Sequence, residues 1–326
     1  MILKVRIVGQ GIAGTLLAWA CERRGIEWEI VDQGHAEAAS RVGAGLVSPL
    51  TGMRLVPTWR FAEWAEAAQQ TYRELEREVG GTLVRPLRLR RLFRNEKQRE
   101  RMGARLDAPE VAKWVESADA EGVWLRGAYQ VDTARLIAAM REKWRKQGRL
   151  REGNFAPDEA EDGTPTIWCV GAAVRDCWPR TVSWELSKGE LLTGRIPGIE
   201  DDVVRNDGEW VLPLGEGRVR VGATFNRDDL SLASTAKAET ELRAAAARLS
   251  GGGEIEDGFM DAGLRVNVPD RRPVVGWADD QRRRGIFAGL AAKGALWAPI
   301  LAEQWAADGL RGERLESEVS ANRFRK

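Results

Sequence analysis

A strand, a glycine-rich turn and an apolar helix follow one another at the N-terminus, and this segment limits the fold more than any other part of the chain. The run Leu3–Val8 has the apolar character of a strand in a parallel sheet. It leads into Gly9-Gln10-Gly11-Ile12-Ala13-Gly14, a GxGxxG pattern, after which an apolar helix is predicted over Thr15–Arg24. A second predicted strand, Trp28–Val31, ends at Asp32. The pattern indicates a βαβ unit that binds a dinucleotide.

Each glycine of this turn has a geometric role. Gly9 permits the tight turn, Gly11 lets the backbone approach a pyrophosphate, and Gly14 lets the helix pack closely on the strand. Asp32, at the end of the second strand, is placed to accept both ribose hydroxyls. The residues that this unit assigns to the cofactor are Gly9, Gly11, Ile12, Ala13, Gly14, Asp32 and Gln33. NAD and FAD satisfy these requirements equally.

Charge and composition narrow the range of partners. Fifty Lys and Arg residues against 49 Asp and Glu residues give a formal charge of +1, so neither a nucleic-acid nor a membrane partner is expected. A leader sequence and an apolar run of spanning length are both missing, which favours a cytoplasmic protein. Cys21, Cys169 and Cys177 lack metal-ligand spacing and are expected to be structural thiols, so no metal site is predicted.

The remaining chain predicts a mixture of helices and strands. Helical spacing over Phe61–Val79 is followed by strand-like alternation over Leu83–Leu92. A capped helix is predicted over Ala134–Gln147. Two alternating runs, Trp210–Leu214 and Arg218–Phe225, are separated by a Gly-Glu-Gly turn and predict a hairpin.

Several segments carry a resemblance to a known family. A loop of small residues, Ala39–Leu50, follows the βαβ unit, and the C-terminal part contains Asp261–Val266, Pro269–Gly276 and Lys293–Pro299. They resemble, respectively, the flavin loop, the GLRP and PDxxPxxG signatures, and the start of the last helix in the D-amino-acid oxidase / glycine oxidase-like superfamily of FAD-dependent oxidoreductases. The resemblance extends over nearly the whole chain and implies that the dinucleotide is FAD.

The family resemblance implies an α/β fold with a Rossmann-like FAD-binding domain at 1–60, 127–185 and 258–326. An α+β substrate domain on a mainly antiparallel sheet, at 61–126 and 186–257, is interleaved with it. Further implied cofactor contacts are Ser40, Arg41, Gly43, Ala44, Gly45, Leu46, Gly171, Gly263, Arg265, Lys293, Gly294, Ala295 and Leu296. The cysteine that binds flavin covalently in some relatives belongs near the last loop, and the sequence has none after Cys177. We therefore expect non-covalent FAD.

The implied reaction is oxidation of a small amine or amino acid by hydride transfer to flavin N5, with oxygen or another electron acceptor reoxidising the flavin. Arg265 matches the arginine that pairs with the substrate carboxylate in glycine oxidase-like enzymes. Phe225 matches a wall of the substrate pocket, while Lys293 and Trp297 lie at the start of the flavin-facing helix. The only histidine, His35, follows Asp32 closely, so a histidine general base is not expected.

Two departures leave the substrate open. Val266 stands where many relatives have proline, and Leu290-Ala291-Ala292 replaces a more polar loop. Alternative functions are therefore a flavoprotein that acts on a larger or tRNA-linked amine, and a non-catalytic flavin-binding protein. The sequence does not predict the oligomeric state, the substrate's chirality or the electron acceptor.

Overall fold

The computed structural model describes residues 4–34, 38–52, 54–154, 163–178, 181–278, 280–311 and 315–324. Within these residues the strands form two large sheets and a two-stranded ribbon, β4 (Leu50–Thr51) with β5 (Val56–Pro57). Helices pack on the first sheet and on one face of the second. The predicted α/β class is confirmed.

The first sheet is mainly parallel. Its six strands in the described residues are β1 (Lys4–Val8), β2 (Glu27–Asp32), β9 (Leu150–Glu152), β10 (Thr166–Trp168), β16 (Val274–Trp277) and β17 (Arg284–Ala288). They lie in the order β16-β17-β10-β1-β2-β9, and every neighbouring pair is parallel except β16 with β17. The central positions Ile7, Ile30 and Ile167 are fully buried, as in a parallel sheet covered on both faces.

The second sheet is mainly antiparallel. Its nine strands in the described residues are β3 (Leu46–Val47), β6 (Val84–Leu92), β7 (Val115–Ala118), β8 (Gly122–Val131), β11 (Glu185–Arg195), β12 (Val203–Asn206), β13 (Trp210–Gly215), β14 (Arg218–Gly222) and β15 (Glu256–Asn267). Their order is β15-β11-β14-β13-β12-β6-β8-β3, with β7 beside β8. Only β12 and β6 pair in parallel among these strands.

The described helices are α1 (Ile12–Arg23), α2 (Ala39–Val42), α3 (Phe61–Val79), α4 (Glu96–Gly103), α5 (Pro109–Ala112), α6 (Thr133–Lys146), α7 (Val174–Cys177), α8 (Ala236–Ser250) and α9 (Gly294–Ala307). Several ends follow from local chemistry. Asp132 caps α6 by accepting a hydrogen bond from the amide of Arg135. Thr235 caps α8 in the same way, and α8 stops where Gly251 adopts a left-handed conformation (φ 79°).

Helix α9 is the centre of the packing on the first sheet. It contacts both α1 and α3 and is apolar except for Glu303 and Gln304, with Leu296 and Leu301 fully buried. The hydroxyl of Tyr72 on α3 donates to the carbonyl of Ala295 over 3.0 Å. This packing fixes the N-terminus of α9 near the β1–α1 turn, since a β-carbon at Gly294 would lie 3.0 Å from Ile12.

The second sheet has two different faces. Leu192, Val211 and Val221 point toward α8 and are fully buried with Leu242. The alternate residues, including Leu191 and Trp210, point to the opposite face, because side chains alternate along a strand. That face lines the cavity described below.

The predicted domain boundaries do not all coincide with strand ends. The boundary between 126 and 127 falls inside β8, and the boundary between 257 and 258 falls inside β15. Both strands run uninterrupted in the second sheet, as does β3 from the first predicted segment. The predicted boundaries depend on where sequence signatures begin. A strand, in contrast, extends as far as its hydrogen bonds with the neighbouring strand continue. The assignment of segments to domains therefore stays a prediction.

Candidate functional site

A cavity of about 1540 Å³ receives residues from both sheets. On the first sheet these residues stand at the carboxyl ends of β1, β2, β10 and β17. The carboxyl edge of an open parallel sheet is where ligands bind in folds of this class. The second sheet contributes the face that points away from α8. The cavity therefore lies between the carboxyl edge of the parallel sheet and one face of the antiparallel sheet, and we call that face the floor of the cavity.

The β1–α1 turn has the close approaches expected of a pyrophosphate cradle. Gly9 adopts φ 95°, and a β-carbon there would lie 2.7 Å from the carbonyl oxygen of Cys169. A β-carbon on Gly14 would lie 2.0 Å from the Gly9 oxygen, so Gly14 allows the helix to meet the turn. Gly11 caps α1 without a side-chain hydrogen bond, and the amide of Ile12 donates to Ser40 Oγ over 3.1 Å. The start of α1 thus presents backbone amides to the cavity.

Asp32 lies on the cavity wall but is already engaged by protein groups. Its Oδ2 accepts a hydrogen bond from the amide of Gln10 (2.7 Å), and its Oδ1 accepts from the amide of Gly34 (2.9 Å) and from Arg141 Nη1 (2.8 Å). A carboxylate offers about four acceptor positions. These contacts narrow the expected role: Asp32 retains capacity for about one ribose hydroxyl, not two.

Arg141 on α6 was missed by the sequence reasoning. Nη1 also donates to Gln10 Oε1 (3.0 Å), and Nη2 donates to Glu152 (2.9 Å). The sequence does contain a signal for this role. Arg141 lies between Met140 and Trp144 on the buried face of α6, where an arginine requires hydrogen-bonding partners.

Arg265 lies on the floor of the cavity, on β15. Its guanidinium crosses the neighbouring strand at Gly189, where a β-carbon would lie 2.0 Å from Nη2. Nη1 donates to the carbonyl of Thr224 at 3.3 Å, and within the described residues no carboxylate forms an ion pair with Arg265. Burial lowers the pKa of this guanidinium, since the charged form is partly desolvated. Arg265 is therefore a cation with room for an anionic ligand.

Trp210 forms the neighbouring part of the floor, and the sequence reasoning did not identify it as a site residue. A β-carbon on Gly222 would lie 2.8 Å from the indole atom Cζ2, so Gly222 makes room for the ring. Gly222 pairs with both Trp210 and Leu191 across adjacent strands. The signal in the sequence is Gly222 itself, a glycine at the end of the alternating strand β14, since a glycine in a strand often marks a close approach.

Two more cations, Arg91 and Lys293, lie on the cavity wall. Burial and then the charge of Arg91 lower the pKa of Lys293 to about 8. Burial lowers the pKa of Arg91 to about 10, opposed by Asp207. Arg91 was also missed, although it breaks the alternation of β6: Leu89 and Arg91 share the inward face, while Arg88 faces solvent.

The structure brings most predicted site residues together. The lining includes Gly9, Gly11, Ile12, Ala13, Asp32, Gln33, Ser40, Gly43, Ala44, Gly45, Leu46, Gly171, Phe225, Arg265, Lys293, Gly294 and Ala295. The predicted residues of the described chain that lie outside the lining are Gly14, Arg41, Gly263, Leu296 and Trp297.

Some predicted site residues lie outside the cavity or at its mouth. Trp297 is 5 % exposed and donates from Nε1 to the carbonyl of Trp59, so it packs in the core rather than facing the cavity. Gly263 packs against Ala39 of α2. Phe225 stands at the mouth, 64 % exposed, with the Arg227 guanidinium 5.5 Å from its ring centre. His35 lies outside the described residues.

The three cysteines are free thiols. Burial raises the pKa of Cys21 to about 12 and that of Cys177 to about 11, and it raises the pKa of Cys169 as well. Cys169 and Cys177 line the cavity as neutral thiols. In the described ranges, no group of three or more His, Cys, Asp or Glu side chains is arranged to hold a metal, and no helix has both the length and the apolar character needed to cross a membrane.

Comparisons with known proteins agree with this geometry. The family model of FAD dependent oxidoreductases (DAO) matches residues 4–308. The tRNA 5-methylaminomethyl-2-thiouridine biosynthesis bifunctional protein MnmC of Maricaulis maris (strain MCS10) is 30 % identical over 324 residues, covering 94 % of this chain and 52 % of that protein. The bifunctional protein ThiO/ThiG of Synechocystis sp. (strain ATCC 27184 / PCC 6803 / Kazusa) is 24 % identical, covering 91 % and 50 %. The chain thus spans about half the length of the curated relatives it matches.

Solved structures show the same fold. Iminodiacetate oxidase (IdaA) from Chelativorans sp. BNC1 superposes with a TM-score of 0.78 at 22 % identity, covering 97 % of this chain and 98 % of that one. Glycine oxidase from Geobacillus kaustophilus superposes with a TM-score of 0.75 at 20 % identity and 95 % coverage of both chains. The predicted superfamily, fold and FAD dependence are confirmed, and the cradle of α1 fits the cofactor's diphosphate. The chain belongs to the FAD dependent oxidoreductase (DAO) family.

Proposed function

We propose that this chain oxidises a small amine or amino acid that carries a carboxylate. The observation that carries the proposal is Arg265, a partly buried guanidinium on the cavity floor without an acidic partner in the described residues. A bidentate pair with a substrate carboxylate would supply the missing partner. The names of the structural neighbours, iminodiacetate oxidase and glycine oxidase, are consistent with a substrate of this kind.

Each part of the site has a defined task. FAD bound in this cavity would supply a hydride acceptor for the carbon next to the substrate nitrogen, and the amine would become an imine with its N–H proton released to solvent. The amides at the start of α1 hold the diphosphate, and Asp32 accepts about one ribose hydroxyl. Arg265 fixes the carboxylate over the floor formed by Trp210, which orients the carbon–hydrogen bond. Oxygen or another electron acceptor would then take up the two electrons.

The binding of FAD is non-covalent in this proposal. The two thiols of the described lining, Cys169 and Cys177, have raised pKa values and stay protonated at neutral pH. Buried free thiols also favour the expected cytoplasmic location, where thiols are kept reduced.

A second candidate is oxidation of an amine attached to tRNA. It is favoured by the similarity to MnmC, whose name places that protein in tRNA 5-methylaminomethyl-2-thiouridine biosynthesis. The ion pairs of the arginine-rich strand β6 argue against this second function. Arg90 on β6 pairs with Asp119 and Glu121, and Arg94, just after the strand, pairs with Asp207, so both guanidinium groups already have acidic partners. Turnover of a free amine without any nucleic acid separates the two functions.

The test is Arg265→Leu. Truncating one member of a buried hydrogen-bonded charge pair costs about 2–5 kcal/mol, so kcat/KM for an amino-acid substrate is expected to fall roughly thirty- to several-thousand-fold. Arg265→Lys should recover only part of the loss, because an ammonium lacks the planar fork. Flavin content should stay near that of the parent.

The matched control is Arg195→Leu, which removes an exposed arginine at the end of β11, outside the described cavity lining. It should leave kcat/KM unchanged, and a decarboxylated amine should react equally with the parent and with Arg265→Leu. Normal turnover of amino acids by Arg265→Leu would refute the carboxylate clamp. Loss of flavin or unfolding would instead identify Arg265 as structural.

A further inference from the structure

A second, smaller cavity of about 360 Å³ adjoins the large one. Gly43, Ala44 and Thr133 line both cavities and so form the wall between them. The described lining of the second cavity also contains three arginines that do not line the first: Arg85, Arg218 and Arg220. These cations are separate from Arg265 and from the cradle of α1.

Contacts along the second sheet bring the three arginines together. Arg218 and Arg220 lie on the same face of β14, roughly 7 Å apart along the strand. Arg85 reaches the neighbouring strand β13, where its Nη2 donates to the carbonyl of Pro213. Pro213 pairs with Val219, the residue between the two other arginines. The guanidinium of Arg85 therefore lies one strand away from β14, at the level of that pair.

The two arginines of β14 have no acidic partner at contact distance. Arg220 donates from Nε to Thr193 Oγ1 (3.1 Å) and from Nη1 to the carbonyls of Val42 (3.1 Å) and Gly43 (3.3 Å), while its Nη2 has no acceptor in the described chain. Burial lowers the pKa of this guanidinium. Arg218 is exposed and forms neither a hydrogen bond nor an ion pair with the described residues. Both groups retain donors for a ligand.

Arg85 is also bound only by neutral oxygens in the part of the chain that the structure describes. Besides the β13 carbonyl, its acceptors are the backbone oxygen of Asp201 (3.1 Å from Nη1) and Gln130 Oε1 (2.8 Å from Nη2). The carboxylates of Asp201 and Asp202 attract the guanidinium through space without forming an ion pair, and burial lowers its pKa.

Helix α6 begins at this cavity. Asp132 is the one acid in the described lining, and its Oδ1 already accepts a hydrogen bond from an amide of the first turn (3.0 Å). Asp132 and Asp261 attract Arg220 through space without an ion pair. Thr133 and Ala134, which also line the cavity, are the first residues of the helix, and their amides lack acceptors within it. The start of α6 thus adds to the preference for an anion.

The charge and size of the cavity narrow the class of ligand. Three arginines against one acid leave an excess of two positive charges in the described lining. A phosphate monoester carries a charge of about −1.5 to −2 at neutral pH, whereas a phosphodiester or a carboxylate carries only one negative charge. Guanidinium groups and helix N-termini are both well suited to phosphate oxygens.

We propose that the second cavity binds a phosphate dianion, supplied by a small phosphate monoester or by inorganic phosphate, between Arg85, Arg218, Arg220 and the start of α6. This site is separate from the cavity for FAD and the amine. It does not depend on the proposed reaction, because neither Arg265 nor the flavin takes part in it.

The experiment measures binding by calorimetry at constant ionic strength, with flavin-loaded protein so that the cofactor cradle is filled. The probes are inorganic phosphate, methyl phosphate and dimethyl phosphate. We expect one saturable site per chain, with either of the first two probes binding at least about tenfold more tightly than dimethyl phosphate. The tighter of the two distinguishes free phosphate from a phosphate ester as the source.

Variants locate the site. Arg218→Met removes an exposed side chain without contacts in the described chain, so the fold should be kept while phosphate binds at least about tenfold more weakly. Arg85→Met should have an effect in the same direction. The matched control is Arg88→Met, which removes an exposed charge from β6, stacked 4.6 Å from the ring centre of Trp124. This control should bind phosphate as the parent does.

Four outcomes overturn the inference. Absence of saturable binding excludes the site, and binding that survives in both Arg218→Met and Arg85→Met places the phosphate elsewhere. Equal binding of dimethyl phosphate and methyl phosphate would instead indicate a site for a phosphodiester, such as a nucleic-acid backbone. Binding that is lost in Arg265→Leu but kept in Arg218→Met would assign the phosphate to the proposed carboxylate clamp.

Discussion

At the scale of single residues, Asp32 shows how neighbours modify a motif. The βαβ pattern predicts that Asp32 contacts the cofactor, and in the structure Asp32 lines the cavity. The pattern does not predict that Gln10, Gly34 and Arg141 occupy most of the acceptor positions of this carboxylate. Arg141 and Asp32 form a buried pair whose oppositely charged groups are 2.8 Å apart.

This pair leads to a prediction for Arg141→Met. Removal of one partner leaves a buried carboxylate without its cation, so the free energy of unfolding should fall by about 3–5 kcal/mol. FAD should bind at least about tenfold more weakly, because Asp32 and Gln10 lose a shared donor. Urea unfolding and flavin fluorescence titration measure the two effects.

Arg145→Met is the control on the same helix. Arg145 is exposed and pairs with Glu142 one turn away, a contact worth only about 0.3–0.5 kcal/mol. If Arg141→Met matched Arg145→Met in both stability and FAD affinity, the buried network would have no role in holding the cofactor.

Arg91, Arg141 and Trp210 show why part of the site was not predicted from the sequence. Each stands in an amphipathic element where a pattern indicates only which face is buried. Whether a buried arginine faces a core partner or a cavity depends on distant segments, such as Gly52 for Arg91 and Asp32 for Arg141. Pattern reasoning treats arginine as a surface residue, which is correct on average and wrong at such sites.

At the scale of secondary-structure elements, long periodic segments were predicted well. The helix over Phe61–Val79 has its predicted bounds, and the hairpin of β13 and β14 lies where alternation indicated it. The short elements α2, α5, β4 and β5 were not predicted. Two- to four-residue elements have too little periodicity of their own, and contacts with the rest of the chain decide their conformation.

Helix α9 gives a pH-dependent prediction through its N-cap residue. Lys293 has a pKa of about 8 in the folded chain against an ordinary 10.5. Between these values the unfolded chain binds more protons at this site, so the contribution of Lys293 to stability becomes more favourable as pH rises from about 8 to 10.5. Below pH 8 the buried ammonium destabilises the fold.

The thermal midpoint of Lys293→Met should therefore exceed that of the parent at pH 7, and the difference should shrink as pH rises through this window. Lys237→Met, at an exposed position of α8, is the control and should follow the parent. A difference between parent and Lys293→Met that does not vary with pH would contradict the lowered pKa.

At the scale of the whole molecule, the cavity connects the two sheets. Segments distant in sequence meet there: the β1–α1 turn, the loop after α2, strand β15 and the start of α9. The family motifs predicted that these segments meet. They did not predict that β8 and β15 each cross a predicted domain boundary, because that depends on how the strands of the second sheet pair.

This arrangement predicts that non-covalent FAD stabilises the entire chain. At a thousandfold excess of free FAD over its Kd, binding adds about 4 kcal/mol to the free energy of unfolding. The thermal midpoint should rise with FAD concentration, and acid precipitation should leave the flavin in the supernatant. Flavin that remains with the precipitated protein would refute the non-covalent attachment.

The central claim is that the chain uses FAD to oxidise an amine whose carboxylate is held by Arg265. The most direct measurement is anaerobic titration of the flavin-loaded protein with carboxylate-bearing amines and with their decarboxylated counterparts. The account predicts that a carboxylate-bearing amine bleaches the flavin absorption band, and that its decarboxylated counterpart does so far more slowly at the same concentration. Equal bleaching by both members of every pair, or no bleaching by any of them, would contradict it.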